Sequence, residues 1–216
     1  MSAFEHTVAT LDDLRELYKH PPESLLAKKV TRIEDKARQY LAACPFVLLA
    51  TSDADGRCDV SPRGGPPGFV KVLDDHRIAV PDLSGNNILD SLTNIVANPH
   101  AGLLFVIPGQ DDTLRLEGVA HLTTDPAILA RWDDELRRPK VAIGIEVTTT
   151  YVHCAKAFRR GQVWQPESWG QVATPDTCDL LVSQLDLDID PQLIRDNLEA
   201  GYAEALAEER DTSANA

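Results

Sequence analysis

No stretch of this 216-residue sequence approaches the ~18 consecutive apolar residues of a membrane-spanning helix, and its longest apolar runs, 46–50 and 103–107, have the length of a strand. The opening Met1-Ser2-Ala3-Phe4-Glu5-His6 lacks both the basic and the apolar region of a secretory signal, so a soluble cytoplasmic protein is expected. Basic residues are scarce: 21 Lys and Arg face 34 Asp and Glu, a formal net charge of −13. That balance argues against nucleic-acid binding, which draws its affinity from neutralised phosphates, and against anionic membrane surfaces. The four cysteines, Cys44, Cys58, Cys154 and Cys178, are scattered and form no C-x-x-C pair. They read as reduced thiols, with neither a disulfide framework nor a metal site supported. The sequence also lacks G-x-S-x-G, G-x-x-x-x-G-K-S/T, H-E-x-x-H and G-x-G-x-x-G, so nucleophilic and metal mechanisms have no motif behind them and no catalytic residue is assigned.

What is present has an ordinary globular composition, 43% hydrophobic and 25% charged, enough for one domain with appendages. Residues 1–44 read as a helical segment in two pieces broken at Pro21-Pro22. The second piece carries Leu25, Leu26, Val30, Ile33, Ala37, Tyr40 and Leu41 at helical spacing. From 45 to 165 the pattern turns to short β-rich runs. Runs 46–51 and 57–61 flank an Asp55-Gly56 turn, and 69–73 and 77–80 flank Asp74-Asp75. Ser84 to Asn87 has cap chemistry and opens a helix with Ile88, Leu89, Leu92, Ile95 and Val96 on its apolar face, stopped at Asn98-Pro99. Strands 101–107 and 113–123, a helix after Asp125-Pro126 and the β-branched run 141–153 follow. Residues 166–216 form an extension with an amphipathic helix over about 191–209 and a frayed tail from 211. The pattern predicts a mainly β fold with flanking helices, a small antiparallel barrel.

Three segments have chemistry suited to an anionic cofactor. Ser61-Pro62-Arg63-Gly64-Gly65 leaves a strand with a hydroxyl, a guanidinium and two glycines, and reads either as an anion site or as a solvated hairpin loop. Free N–H groups at Gly85-Asn86-Asn87 would suit an anion if a helix starts there, although Ser84 or Asn86 can equally be a plain cap. In Thr113-Leu114-Arg115-Leu116-Glu117-Gly118, Arg115 and Glu117 share one strand face, either lining a groove or forming an exposed ion pair.

In this order, with a helix between the second segment and the third, they resemble the pyridoxamine 5′-phosphate oxidase-like flavoproteins, the FMN-binding split barrels. The likeness is carried by Cys58-Asp59-Val60-Ser61-Pro62-Arg63-Gly64 with Pro66-Pro67-Gly68-Phe69-Val70 after it. Further matching stretches are Ile78-Ala79-Val80-Pro81-Asp82, Gly85-Asn86, Leu103-Leu104-Phe105, Pro108-Gly109, Thr113-Leu114-Arg115 and His153-Cys154-x-Lys156-Ala157. With Leu14-Arg15-Glu16-Leu17-Tyr18, the resemblance spans most of residues 10–165.

The resemblance implies a six-stranded antiparallel split β-barrel, a homodimer, and FMN in a cleft between subunits. Carried over by position, the cofactor-binding residues are Ser61, Arg63, Gly64, Lys71, Ser84, Asn86, Asn87 and Arg115, and Trp164 is placed to stack on the flavin ring or, equally, to pack the last helix. The sequence departs from its relatives after Gly85-Asn86: they carry one or two basic residues where this chain has Asn87 and Ile88. A lost guanidinium removes about 1.5–3 kcal/mol of charge-assisted contact, which implies weak FMN binding or another cofactor. The function expected is an FMN-dependent oxidoreductase acting on a small molecule, since a flavin performs the chemistry and the protein need only bind and tune it. A flavin- or haem-binding module without turnover, a sensor or carrier, is the alternative. The basic residues with which pyridoxamine phosphate oxidase proper meets its substrate do not map onto the C-terminal region, so vitamin B6 oxidation is not expected.

Overall fold

The computed structural model describes residues 4–85, 87–170 and 173–215. Helices α1 (Leu11–Leu17), α2 (Glu23–Leu26) and α3 (Asp35–Ala43) precede the sheet. The long second helical piece expected from the periodicity is therefore interrupted. Between α2 and α3 the chain extends, and Val30 exchanges two backbone hydrogen bonds with Thr150, at 3.1 and 2.8 Å. A β-branched Val30-Thr31 pair beside an open strand edge gains more from that pairing than from continuing a helix.

Strands β1 (Phe46–Ser52), β2 (Cys58–Gly64), β3 (Lys71–Val72) and β4 (Arg77–Pro81) come next, then helix α4 (Asp90–Ala97). After it run β5 (His100–Val106), β6 (Thr113–Thr123), the short helix α5 (Pro126–Leu129) and β7 (Ala142–His153). All seven strands join one antiparallel sheet in the order β2-β1-β5-β6-β7-β4-β3. Seven strands stand where the resemblance implied six, and because the edge strands β2 and β3 do not pair with each other, hydrogen bonds do not close the split barrel. The sheet nevertheless curls: Val47 and Leu49 of β1 share one core with Ile78 and Val80 of β4, near the opposite end of the strand order. Fold class is thus mixed α/β with an antiparallel sheet unclosed by hydrogen bonds.

Alternation along the strands sends Val47, Leu49, Leu103, Phe105, Leu114, Leu116, Ile143 and Ile145 inward. At the bulge between Glu117 and Gly118 the β6 backbone lies so close to β7 that a Cβ on Gly118 would clash with the Glu146 carbonyl and stand 2.7 Å from Ile145 Cγ2. A satellite core of Ala79, Leu129, Leu136 and Ala142 surrounds Trp132, whose indole Nε1–H donates to the Phe69 carbonyl at 2.7 Å.

The C-terminal part has α6 (Lys156–Arg160), α7 (Thr177–Gln184) and α8 (Pro191–Arg210). Its end is anchored where a frayed tail was expected: the Arg138 N–H donates to Asn215 Oδ1 at 2.6 Å and Asn215 Nδ2 donates to the Leu136 carbonyl at 2.8 Å. Side-chain amides of this kind satisfy backbone groups that a loop leaves open, which no hydrophobic pattern announces. Cys44 and Cys178 are buried, Cys58 and Cys154 exposed, and all four are free thiols.

Candidate functional site

Period-two alternation along β2 sets Asp59, Ser61 and Arg63 on one side of the strand and leaves Cys58, Val60 and Pro62 on the exposed side. Facing them are the loop after β4 and the first turn of α4. Arg63 Nη1 donates to Asp82 Oδ1 at 2.9 Å and its Nε donates to Ser61 Oγ at 3.3 Å. Ser61 Oγ lies 2.9 Å from Ser91 Oγ, and the Ser91 hydroxyl donates to Asp59 Oδ2 at 2.7 Å. Since Ser91 spends its proton on Asp59, the Ser61 hydroxyl must be the donor to Ser91. The five groups form one polarised chain from Asp82 through Arg63, Ser61 and Ser91 to Asp59. It ties β2 to the β4–α4 loop and to α4.

Beside this chain opens a cavity of about 480 Å³, with Ser61, Arg63, Gly64, Ser84 and Asn87 among its walls. Five sequence-nominated residues thus meet in one place. Asn86 lies outside the described residues. The other three are elsewhere. Lys71 forms an ion pair with Glu135 at 2.6 Å, and Arg115 Nη1 donates to the Tyr151 hydroxyl at 3.0 Å on the outer face of the sheet. Trp164 stacks on Phe158 at 5.7 Å between ring centroids and donates to the Gln110 carbonyl at 2.8 Å, by the β5–β6 turn. Among the described residues neither a second basic strand residue nor a tryptophan lines the cavity.

The helix-start site is corrected as well. α4 begins at Asp90, and Asn87 and Leu89 hold left-handed φ values of 58° and 63°, so Gly85 and Asn87 belong to a loop. Ile88 and Leu89 face outward, at 62% and 50% exposure. The buried face starts only at Ser91, Leu92 and Ile95, because the helix needs to cover no more of the sheet than that.

Sequence reasoning passed over four acidic cavity walls: Asp59, Asp82, Asp90 and Glu209, the last brought from α8 together with Leu206. The same alternation that marked Ser61 and Arg63 points to Asp59. Nothing in the local sequence points to Glu209, more than a hundred residues away. Burial pushes the Glu209 carboxyl above the usual carboxylate range, against the opposing pull of a hydrogen bond from the Ser84 backbone N–H and the charge of Arg210.

A family comparison agrees with the antiparallel fold that the motifs suggested. A model described as pyridoxamine 5′-phosphate oxidase matches residues 33–154, which is 122 of 216 residues. The chain belongs to the pyridoxamine 5′-phosphate oxidase family. No curated protein matches it. Among solved structures, HupZ from Group A Streptococcus is similar at 19% identity over 53% of this chain and 89% of its own, with a TM-score of 0.44. HutZ, the heme storage protein from Vibrio cholerae, is similar at 14% identity over 56% and 94%, with a TM-score of 0.40. A pyridoxamine 5′-phosphate oxidase-related, FMN-binding protein from Nostoc punctiforme is similar at 15% identity over 51% and 73%, with a TM-score of 0.36.

For this member of the pyridoxamine 5′-phosphate oxidase family the phosphate of an FMN placed in the cavity would meet the wrong charge. Among the described residues Arg63 is the only cationic side chain lining the cavity, and it is already neutralised by Asp82. Four carboxylates line the same cavity. A phosphate monoester does not fit the walls as they stand.

Proposed function

We propose that the chain is a flavin-dependent oxidoreductase acting on a small molecule, with the cavity beside β2 receiving the polar end of the flavin. The observation that supports this is the convergence of Ser61, Arg63, Gly64, Ser84 and Asn87 on one cavity in a member of this family. When bound, a flavin supplies the hydride or electron transfer, and the chain's own residues position it. The Arg63-Ser61-Ser91 chain would orient hydroxyl groups, because its two serines are already fixed in direction. FMN is the flavin that the family implies, and its phosphate is the one part the walls oppose.

We also propose a cytoplasmic homodimer. The outer face of the sheet carries Leu48, Ala50, Val60 and Leu104, and Val60 is 60% exposed. A second copy laid on that face would bury them and close the groove beside Arg115. No described helix is long and apolar enough to cross a membrane.

The test is the absorbance spectrum of the purified protein, followed by titration with FMN and riboflavin under fluorescence detection. Flavin bands or quenching are expected, with reduction by NADH or NADPH marking turnover. A Soret band would replace the reading with haem binding, and no response to either flavin would overturn it. Sedimentation should give twice the 23.7 kDa chain mass, and a folded monomer at micromolar concentration would overturn the dimer.

A further inference from the structure

We propose that Lys28, Lys29, Arg115 and Tyr151 form a site for the phosphate group of a small phosphorylated molecule, at the outer face of the sheet. None of the four walls the cavity beside β2, so the proposal does not depend on the flavin reading.

The site is built by the pairing of Val30 with Thr150, which lays the segment after α2 beside β7. That pairing carries the two preceding lysines to Tyr151, the residue after Thr150. Lys28 Nζ donates to the Val152 carbonyl at 3.0 Å and stands 5.4 Å from the centre of the Tyr151 ring, and Lys29 Nζ stands 5.1 Å from that centre. From β6, Arg115 lies directly across from Tyr151. Its guanidinium carbon is 5.8 Å from the ring centre, and Nη1 donates to the phenol oxygen at 3.0 Å.

Three cations thus gather at one ring in a chain with 34 acidic and 21 basic residues, yet among the described residues none of the three is ion-paired with a carboxylate. Glu117, the acidic residue of β6, stands opposite Thr149 instead. The negative face of the ring offsets part of the repulsion among the cations, and a bound anion would offset the rest. The bonds left to make are donor bonds. Tyr151 accepts from Arg115 and so keeps its own proton to give, Arg115 keeps Nε and Nη2, and both ammonium groups have N–H groups to spare. A carboxylate, with two oxygens in one plane and a single charge, would be satisfied by the guanidinium alone. A phosphate, with three oxygens and nearly two charges, matches the guanidinium, two ammonium groups and the phenol together.

The experiment follows the thermal unfolding midpoint of the full chain against inorganic phosphate, with sodium citrate and sodium chloride at equal ionic strength. Phosphate is expected to stabilise the chain saturably, unlike a general salting effect, and to do so at concentrations where citrate and chloride do not. The Lys28→Gln and Lys29→Gln double variant should weaken the apparent phosphate affinity about tenfold or more, and Tyr151→Phe, which keeps the ring and loses the O–H, several-fold. The Arg131→Gln and Lys140→Gln pair removes equal charge from the segment before β7, at the far end of that strand from Tyr151, and should leave the affinity within about twofold. Stabilisation that does not saturate, that citrate matches, that the cluster variants retain in full, or that the Arg131 and Lys140 pair loses equally overturns the proposal. If the double lysine variant does not fold, Tyr151→Phe decides alone: a several-fold loss upholds the site and an unchanged affinity overturns it.

Discussion

Arg63 and Asp82 face each other at 2.9 Å with only 21% and 23% of their side chains exposed, so the one cation that lines the cavity among the described residues is neutralised within the chain. A strand residue and a loop residue are thereby locked together, and the guanidinium is turned away from any ligand that cannot displace the carboxylate.

Asp82→Asn should release the guanidinium. FMN binding is expected to strengthen several-fold while riboflavin binding stays unchanged, because only the phosphate gains a charge-assisted partner. Fluorescence titration reads this, and equal changes for the two flavins would show that Asp82 acts on the fold instead.

Arg63→Ala leaves Asp82 without its counter-charge and Ser61 without a donor. The expected loss of stability is about 1–3 kcal/mol, measured by urea unfolding. An unchanged midpoint would mean that water replaces the guanidinium at no cost.

Trp132→Phe should cost about 1–3 kcal/mol, since the Phe69 carbonyl loses the indole N–H that now satisfies it inside the satellite core. Trp132→Ala adds a cavity and should cost about 3–5 kcal/mol. Equal losses for the two variants would show that the hydrogen bond, and not the volume, dominates.

Gly118→Ala should destabilise the sheet by about 1–3 kcal/mol, because the new methyl meets the Glu146 carbonyl across the bulge. Gly85→Ala is the control: its Cβ would meet nothing within 4 Å, and it should leave the unfolding midpoint nearly unchanged.

Tyr40 should titrate late. Burial foremost, with the Cys44 and Asp112 charges adding to it, pushes its phenol up to about 12, and its hydroxyl donates to the Asp112 and Phe105 carbonyls at 3.1 and 3.3 Å. The folded pKa lies above the ordinary value near 10, so the native state keeps a proton that the unfolded chain releases. The resulting stability is complete below about pH 10 and is lost as pH rises towards 12. Alkaline absorbance titration should show one slow tyrosine, and its loss in Tyr40→Phe identifies it.

Period-two runs separated by Asp-Gly and Asp-Asp turns were enough to mark the strands, since alternation along a half-buried sheet is written directly into neighbouring residues. The same local pattern placed Ser61 and Arg63 on one side of β2, and the motif around them showed the family. Helix limits were less legible. The spacing through Val30 was helical, yet that residue pairs with Thr150, a partner 120 positions away whose open edge no local pattern reveals.

Composition, motif order and strand periodicity thus determined the antiparallel strands, the family and five residues of the cavity wall, because each depends on residues close together in the chain. The electrostatic character of the site was decided by tertiary structure alone. Lys71 and Arg115, basic and well spaced in the sequence, are drawn off by Glu135 and Tyr151, while α8 returns to set Glu209 beside Ser84. A charge acts on whatever lies within a few ångströms of it, and which groups those are is fixed only when the sheet curls and the last helix docks.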